Sequence, residues 1–240
     1  MNIVENIPVF CAIDTPDLDR ARALAAAMER AGCGLKLGLE FFNAQGPQGV
    51  AEIRRAYEDL PLFLDLKFHD IPNTVAGAVR AVTRLGPAYM NVHASGGTAM
   101  MIAAHNAAAE EADKIGLPTP KILGVTLLTS LDEDTLTQVG YRDGLEERVV
   151  QLARLTRESG LAGVVCSARE IAAVRGACGP DFVLMGPGIR PVGAAHGDQK
   201  RVMTPSEALH AGATHLVIGR PITAAPDPEN AARRIMDGLS

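Results

Sequence analysis

The stretch FLDLKFHDIPNTV, from Phe63 to Val75, contains the unit on which the chain is built. An apolar run ends in Asp65 and Lys67, and the chain then turns at Ile71-Pro72 into a helical pattern. Successive strand side chains point to opposite faces, so Asp65 and Lys67 are expected on the same side. Charge at the end of a buried strand is costly, so this placement suggests a functional reason.

Seven similar apolar runs occur elsewhere, and helical patterns separate them. The runs are rich in Val, Ile, Leu and Phe with little alternation, which is typical of parallel strands buried on both faces. The eight predicted strands are VFCAI (9–13), LKLG (35–38), LFLDL (62–66), YMNVH (89–93), ILGVT (122–126), GVVCS (163–167), FVLMG (182–186) and HLVIG (215–219).

Helix start and stop signals lie between these runs. DLDRARALAAAMERAG (17–32) and DGLEERVVQLARLTRESG (143–160) both end in Gly, and TPSEALHAG (204–212) opens with a capping-box pattern. Eight βα units without a long polar linker predict one (β/α)8 TIM barrel over residues 1–240. A doubly wound open sheet is the alternative, but it would be expected to have fewer strands and a Gly-x-Gly-x-x-Gly after the first.

Composition restricts the possible partners. The chain has 240 residues and a net charge of −5, so it has no global basic field for nucleic acid, although a local basic cluster could still bind a small anion. No apolar run reaches the roughly 18 residues of a membrane span. The start, MNIVENIPVF, lacks the features of a signal peptide, and we predict a cytoplasmic protein.

Metal and redox motifs are not found in the sequence. The cysteines at 11, 33, 166 and 178 form no Cys-x-x-Cys pair, and they are predicted to be structural, mostly buried thiols. The six histidines lack metal-binding spacing. His93, after the fourth strand, is predicted either to face a pocket or to hold neighbouring backbone by hydrogen bonds.

Polar and charged residues gather at the predicted strand ends. In a (β/α)8 barrel the active site lies at the carboxyl ends of the strands. A structural ion-pair network inside the barrel is the alternative, but alternating charges also suit a partly buried site. The residues at these ends are Asp14, Lys36, Asp65, Lys67, Asp70, Thr129, Arg190 and Arg220.

The last two strands are followed by a predicted phosphate site. Gly219 in VIGRPIT lets backbone approach an anion, and Arg220 and Arg190 supply guanidinium donors. The long polar loop 188–205 is predicted to be a lid, from which Gln199 could reach a ligand. The alternatives are a simple turn with a solvated Arg220, and a loop that is merely disordered.

The sequence DLKFHDIPNTV (65–75) resembles the Asp-x-Lys-x-x-Asp-Ile-Pro-x-Thr signature of the orotidine 5′-phosphate decarboxylase family. Related barrels with other activities share the Asp-x-Lys-x-x-Asp part, but the resemblance extends over nearly the whole chain. Further segments match in order and spacing: AIDTPD (12–17), LKLGLE (35–40), NVHASGG (91–97), GVTLLTS (124–130), GIRP (188–191), GDQKRVMTP (197–205) and VIGRPI (217–222).

The resemblance implies a homodimeric carboxy-lyase that converts orotidine 5′-monophosphate to UMP and CO2, the last step of UMP biosynthesis, without cofactor or metal. It places Asp14 and Lys36 at the ribose hydroxyls. It places Asp65 and Lys67 at the reacting carbon, where Lys67 stabilises negative charge and then donates a proton.

The remaining roles follow from the same resemblance. Asp70, Ile71 and Thr74 would reach the partner's active site, where Asp70 completes the catalytic charges of Lys36, Asp65 and Lys67. Thr129 would contact the pyrimidine, and Gln199 would link the phosphate loop to the base. The phosphate would be held by Arg190, Gly219 and Arg220. His196 is bulkier and more polar than expected in the lid segment, so the resemblance does not fix the motion of the lid.

Two alternative functions stay open from the sequence. The first is a Mg2+-dependent 3-keto-sugar-phosphate decarboxylase or hexulose-phosphate synthase, which would need an extra acidic ligand such as Glu40 near the second strand. The second is a catalytically silent phosphosugar-binding barrel, which the intact Asp65, Lys67 and Asp70 argue against.

Overall fold

The computed structural model describes residues 7–191 and 203–239, and its centre is a closed barrel of eight parallel strands. Each strand pairs with the next, and the first also pairs with the eighth. The predicted (β/α)8 fold is confirmed, and the alternative of an open sheet is wrong. The strands are β1 (Val9–Ile13), β2 (Gly34–Gly38), β3 (Leu62–Phe68), β4 (Tyr89–His93), β5 (Lys121–Val125), β6 (Gly163–Val165), β7 (Val183–Gly186) and β8 (His215–Ile218).

Helices surround the barrel, and short 3-10 turns follow β4 at Ala94–Gly96 and β6 at Ala168–Glu170. No described helix has the length and apolar character that a membrane span requires. The described helices are α1 (Leu18–Ala31), α2 (Leu39–Ala56), α3 (Pro72–Thr83), α4 (Gly97–Ile115), α5 (Glu133–Gln138), α6 (Leu145–Glu158), α7 (Ile171–Cys178), α8 (Pro205–His210), α9 (Arg220–Thr223) and α10 (Pro228–Asp237).

The predicted helix signals act as expected. Gly32 ends α1 with a left-handed φ of 73°, which a residue without Cβ adopts at little cost. Thr204 and Glu207 form the reciprocal capping box of α8, which satisfies backbone N–H groups at the start of the helix. These local signals set where each of the two helices begins or ends.

The core has two layers. One is the apolar shell between the outer faces of the strands and the helices, and the other fills the barrel interior. The four cysteines are buried, as predicted, and all four are free thiols. Burial raises the pKa of Cys33 to about 12, so this thiol stays protonated at neutral pH.

An aromatic cluster closes the amino-terminal end of the barrel. The rings of Phe10, Phe63, Tyr89 and His215 meet edge to face. Nδ1 of His215 lies 2.9 Å from the carbonyl oxygen of Ile7, which only accepts, so Nδ1 carries the proton. Nε2 therefore accepts from the Tyr89 hydroxyl over 2.8 Å. This closed floor leaves the carboxyl ends of the strands as the open mouth.

Candidate active site

Lys36 lies between two carboxylates at the mouth. Its Nζ is 2.8 Å from Oδ1 of Asp14, which follows β1, and 3.6 Å from Oδ2 of Asp65 on β3. The Lys36 side chain is only 7% exposed. Burial alone would lower the pKa of Lys36, but the charges of Asp65 and Asp14 raise it above its ordinary value. Lys36 therefore stays a cation inside the barrel.

Asp65 is the centre of the charged cluster. Its Oδ1 accepts from Nζ of Lys67 over 2.6 Å and from Nδ2 of Asn91 over 2.7 Å. Burial alone would raise the pKa of Asp65, but the charges of Lys36 and Lys67, with hydrogen bonds from Lys67 and Asn91, hold it below its ordinary value. Asp65 is therefore an anion at neutral pH, in contact with cations on both sides.

Lys67 has an uncommon backbone conformation. Its φ of 52° makes it the one non-glycine residue with positive φ among those described. The pairing of β3 with β4 shifts register between Leu64 and Phe68, and Lys67 falls inside this irregularity. The side chains of Asp65 and Lys67 meet at the mouth, as strand alternation predicts, because Leu64, Leu66 and Phe68 pack on the outer shell. The irregular pairing interrupts the ladder at Lys67 without changing this alternation.

Asn91 is a site residue that sequence reasoning missed. It lies in the middle of β4, is fully buried, and binds both Asp65 and the backbone N–H of Lys67. The only available signal was an amide inside the otherwise apolar run YMNVH, since a buried amide needs partners.

Asp70, Ile71 and Thr74 lie apart from this cluster. All three are exposed, on the turn after β3 and the first turn of α3. Asp70 accepts a hydrogen bond from the backbone N–H of Ile71 over 2.6 Å. No ion pair joins Asp70 to Lys67 in the described ranges. Within one subunit, Asp70 is thus not a member of the charged cluster.

A cavity of about 180 Å3 opens beside Asp65 and Lys67. Its wall is mostly apolar, with Val125 and Val165 from neighbouring strands, and Thr129 adds a hydroxyl after β5. A flat ring with a few polar atoms suits such a cavity, because ligand pockets combine apolar walls with few, well-placed polar groups.

The predicted phosphate residues follow β7 and β8. Arg220 is exposed at the start of α9, and Arg190 is 8% exposed and donates to the carbonyl of Ile189 over 2.9 Å. A Cβ on Gly219 would meet Ala12 only at 3.5 Å, an ordinary contact, so packing within the chain does not require glycine there.

The predicted lid is described only at its two ends. Ile189 bridges to Met203, and the backbone N–H of Arg190 donates to the Met203 carbonyl over 3.0 Å. Gln199 and His196 lie outside the described residues. Their predicted roles, and the lid itself, stay predictions.

His93 stands beside His69, with ring centroids 5.4 Å apart. Burial, His69 and Lys67 lower the pKa of His93, so its ring is neutral at neutral pH. No hydrogen bond from His93 to backbone is found among the described residues. Nor does that part of the chain contain a cluster of three or more His, Cys, Asp or Glu residues suited to a metal ion.

The fold and the site together define a class. Charged groups of alternating sign, with an apolar cavity beside them, lie at the carboxyl ends of the strands, where (β/α)8 enzymes have their active sites. This is the arrangement of a (β/α)8-barrel enzyme whose chemistry depends on fixed charges.

Comparison with known proteins gives the family. The model of the orotidine 5′-phosphate decarboxylase / HUMPS family matches residues 8–235. Orotidine 5′-phosphate decarboxylase of Rhodospirillum rubrum is 58% identical over 95% of this chain and 92% of its own length. That of Moorella thermoacetica is 54% identical over 95% and 90%. The chain belongs to the orotidine 5′-phosphate decarboxylase / HUMPS family.

A solved structure supports the same placement. The crystal structure of orotidine 5′-phosphate decarboxylase from Lactobacillus acidophilus superposes with a TM-score of 0.86 at 32% sequence identity. The match covers 98% of this chain and 100% of that one. The resemblance seen in the sequence is therefore confirmed at the level of family and fold.

Proposed function

We propose that this protein decarboxylates orotidine 5′-monophosphate to UMP and CO2, the last step of de novo UMP synthesis. Relatives 58% and 54% identical over most of their length have the name of that activity. The observation that carries the proposal is the contact series Asp14–Lys36–Asp65–Lys67 at the barrel mouth. It brings a cation and an anion together, which suits a reaction in which a carboxylate leaves and negative charge must be stabilised.

Binding uses the outer parts of the mouth. Asp14 and Lys36 would hold the ribose hydroxyls, because together they offer a carboxylate acceptor and an ammonium donor 2.8 Å apart. The phosphate would be held by the groups after β7 and β8, with Gln199 linking that loop to the base. The proposed phosphate residues are Arg190, Gly219 and Arg220.

The chemical step would break the bond between C6 of the pyrimidine and the carboxylate carbon. CO2 leaves, and the electron pair stays on C6. No adjacent carbonyl delocalises this pair as an ordinary enolate, so a fixed positive charge must stabilise it. The Lys67 ammonium supplies that charge without reorganising, which is the most effective form of electrostatic catalysis. Lys67 then gives a proton from Nζ to C6, which yields UMP and a neutral amine.

Asp65 would destabilise the bound substrate before reaction and would also hold Lys67 in place. Its carboxylate faces the position of the substrate carboxylate, and their repulsion disappears as neutral CO2 departs. Its 2.6 Å contact with Nζ also holds the Lys67 ammonium in place before reaction. The apolar cavity beside both residues, with Thr129 at its edge, would take the pyrimidine ring.

Phosphate binding lies far from C6 and would still raise the rate. Binding energy from a remote group can drive loop closure and desolvation, which strengthen the charge interactions at the reacting carbon. The loop 188–205, which contains Arg190 and precedes β8 and Arg220, is the proposed lid for this purpose.

We propose a homodimer in which Asp70, Ile71 and Thr74 serve the partner's site. Two observations support this. Asp70 makes no ion pair with Lys67 of its own described chain, although it belongs to the same charged signature. Ile71, next to Asp70, is 67% exposed, so its side chain is accessible to a partner surface.

We also propose that residues 1–240 form a single domain, since one family model covers residues 8–235. The cytoplasmic location stays a prediction. The Mg2+-dependent alternatives are not favoured, because relatives that cover nearly the whole chain are named for orotidine 5′-phosphate decarboxylation. Glu40, their candidate acidic ligand, is exposed in the first turn of α2.

The decisive experiment is direct. Protein treated with EDTA and desalted is incubated with orotidine 5′-monophosphate, and the loss of its ultraviolet absorbance is followed. Full activity without metal is expected, and UMP in place of substrate serves as the blank. Activity that appears only after Mg2+ is added would favour the alternative, and no conversion under either condition would refute the proposed function.

A further inference from the structure

Asn91 occupies a place where apolar side chains are the rule. Its neighbours on β4, Met90 and Val92, pack into the outer shell, whereas Tyr89 faces the barrel interior. Alternation along the strand puts Asn91 on the interior face with Tyr89. Asn91 has no exposed surface, and a buried amide without hydrogen-bond partners would destabilise the fold.

Both polar atoms of the Asn91 amide form hydrogen bonds with residues of the charged cluster. Nδ2 donates to Oδ1 of Asp65 over 2.7 Å, and Oδ1 accepts from the backbone N–H of Lys67 over 2.8 Å. A carboxylate can only accept here and a backbone N–H can only donate, so the orientation of the amide is fixed. A different side chain of the same shape could not make both bonds.

The bond to Lys67 replaces a missing part of the sheet. Leu64 pairs with Met90 and Phe68 with Val92, so residues 65–67 of β3 lie opposite the single residue Asn91 of β4. The regular ladder is interrupted at this bulge. Lys67 also has a left-handed φ, which is unfavourable for a residue with a Cβ. The Asn91 carbonyl satisfies the N–H that this conformation turns away from the ladder.

We propose that Asn91 is a positioning residue for decarboxylation, which fixes the Asp65 carboxylate and the Lys67 backbone in one geometry without touching the substrate. This inference rests on the proposed function. The same oxygen of Asp65 accepts from Asn91 and from Lys67 Nζ, so the amide sets where both charges stand relative to C6. Misplacement of a catalytic group by about 1 Å can lower a rate by roughly a hundredfold.

Two variants test the proposal. Asn91→Leu keeps the branch at Cγ and loses both hydrogen bonds. Asn91→Asp keeps the acceptor for the Lys67 N–H but sets a second carboxylate against Asp65. Thr83→Val is the matched control, because it removes one buried hydrogen bond, to the Val79 carbonyl, at the far end of α3. For each protein kcat, KM, the Kd for UMP and the thermal midpoint are measured.

We expect kcat to fall at least about a hundredfold in both Asn91 variants. The Kd for UMP should change less than about threefold, since ribose and phosphate are held by other residues. Thr83→Val should lose stability with kcat unchanged. The inference is overturned if either folded Asn91 variant keeps kcat within about threefold of wild type. It is also overturned if kcat and UMP affinity fall in parallel, or if neither variant folds, because Asn91 would then act on the fold alone.

The outcome for wild type separates the two proposals. If wild type does not convert orotidine 5′-monophosphate, the proposed function fails. If wild type converts it and the Asn91 variants do so equally well, the positioning role alone fails.

Discussion

Nζ of Lys67 lies 2.6 Å from Oδ1 of Asp65, and this is the one ion pair that Lys67 makes within the described chain. An ammonium group has three donors, so this pair leaves donors of Lys67 for a ligand. Lys67 is 26% exposed and Asp65 14%, which places the ammonium on the open side of the pair. Asp65 therefore holds Lys67 in place, and the Lys67 ammonium lies on the side of the pair that is open to the mouth.

Loss of this ammonium should nearly abolish turnover. We predict that Lys67→Ala lowers kcat by at least roughly 10⁴-fold, because enzymes reduce barriers by about 8–23 kcal/mol and Lys67 supplies both charge and proton. Circular dichroism should show an intact barrel. Lys114→Ala, at the exposed end of α4, is the charge-matched control and should leave kcat unchanged. A Lys67→Ala variant with a tenth of wild-type activity would contradict the assigned role.

Gly38 is predicted to keep the ribose site open. A Cβ there would lie 2.9 Å from Nζ of Lys36 and 3.4 Å from Oδ1 of Asp14. The Lys36 side chain is the more flexible of the two and would have to move away from the new methyl group. Gly38→Ala should therefore displace Nζ of Lys36 from its two carboxylate partners. The displaced Lys36 would lose its proposed hydrogen bond to the ribose of UMP. Loss of a hydrogen bond to a charged group costs about 1.5–3 kcal/mol, so we expect UMP to bind roughly 10–100-fold more weakly.

Gly176→Ala is the control for this prediction. Gly176 is exposed in α7, and a Cβ there meets nothing within 4 Å. This variant should bind UMP as wild type does and gain about 0.5–1 kcal/mol of stability, since alanine favours helix. Equal UMP affinity in both glycine variants, measured by calorimetry, would show that Gly38 does not shape the ribose site.

The charged cluster predicts a specific loss of stability in acid. The pKa of Asp65 is below its ordinary value of 3.8, so its contribution to stability is complete above that pH and is lost as the pH falls through the folded value. Lys36 has a raised pKa, so its own contribution is constant in acid and declines only in strong base.

Urea unfolding of wild type and Asp65→Asn at about pH 6 and pH 3 tests this linkage. The free-energy advantage of wild type over the variant should be smaller at the lower pH. An advantage that stays constant or grows in acid would mean that Asp65 is not stabilised as an anion by the fold.

The proposed sharing of the active site between two subunits predicts recovery of activity by mixing. Asp70→Asn and Lys67→Ala should each be nearly inactive alone. In a heterodimer of the two, one site carries both lesions and the other neither. Random pairing gives about half mixed dimers, so roughly a quarter of wild-type sites should return after subunit exchange.

A second mixture controls for this result. Asp65 and Lys67 belong to the same site in one chain, so Asp65→Asn mixed with Lys67→Ala should recover nothing. Absence of recovery in the first mixture, once exchange is demonstrated by mass labels, would place Asp70 in the site of its own chain.

Much of this architecture could be predicted from sequence. The run YMNVH gave β4 with its observed bounds, and the alternating charges of Lys36, Asp65 and Lys67 indicated residues that the structure brings together. These features are local patterns, or they follow from the geometry that all parallel barrels share.

The parts that were missed depend on contacts between strands. The β3 bulge and the left-handed Lys67 arise from the register between β3 and β4, which no local pattern encodes. Asn91 was missed for the same reason, because its partners are defined only once that register is known. The extension of β3 to Phe68, beyond the predicted run 62–66, belongs to this irregular pairing.

The left-handed backbone of Lys67 has a consequence for evolution and engineering. Glycine would relax that conformation, but it has no amine to pair with Asp65 or to take part in the reaction, so the backbone and the side chain make opposite demands at position 67. A more heat-resistant form of this enzyme is therefore expected to gain its stability at positions other than 67. Libraries selected only for folding should accept residues other than lysine at this position and lose the reaction as they do.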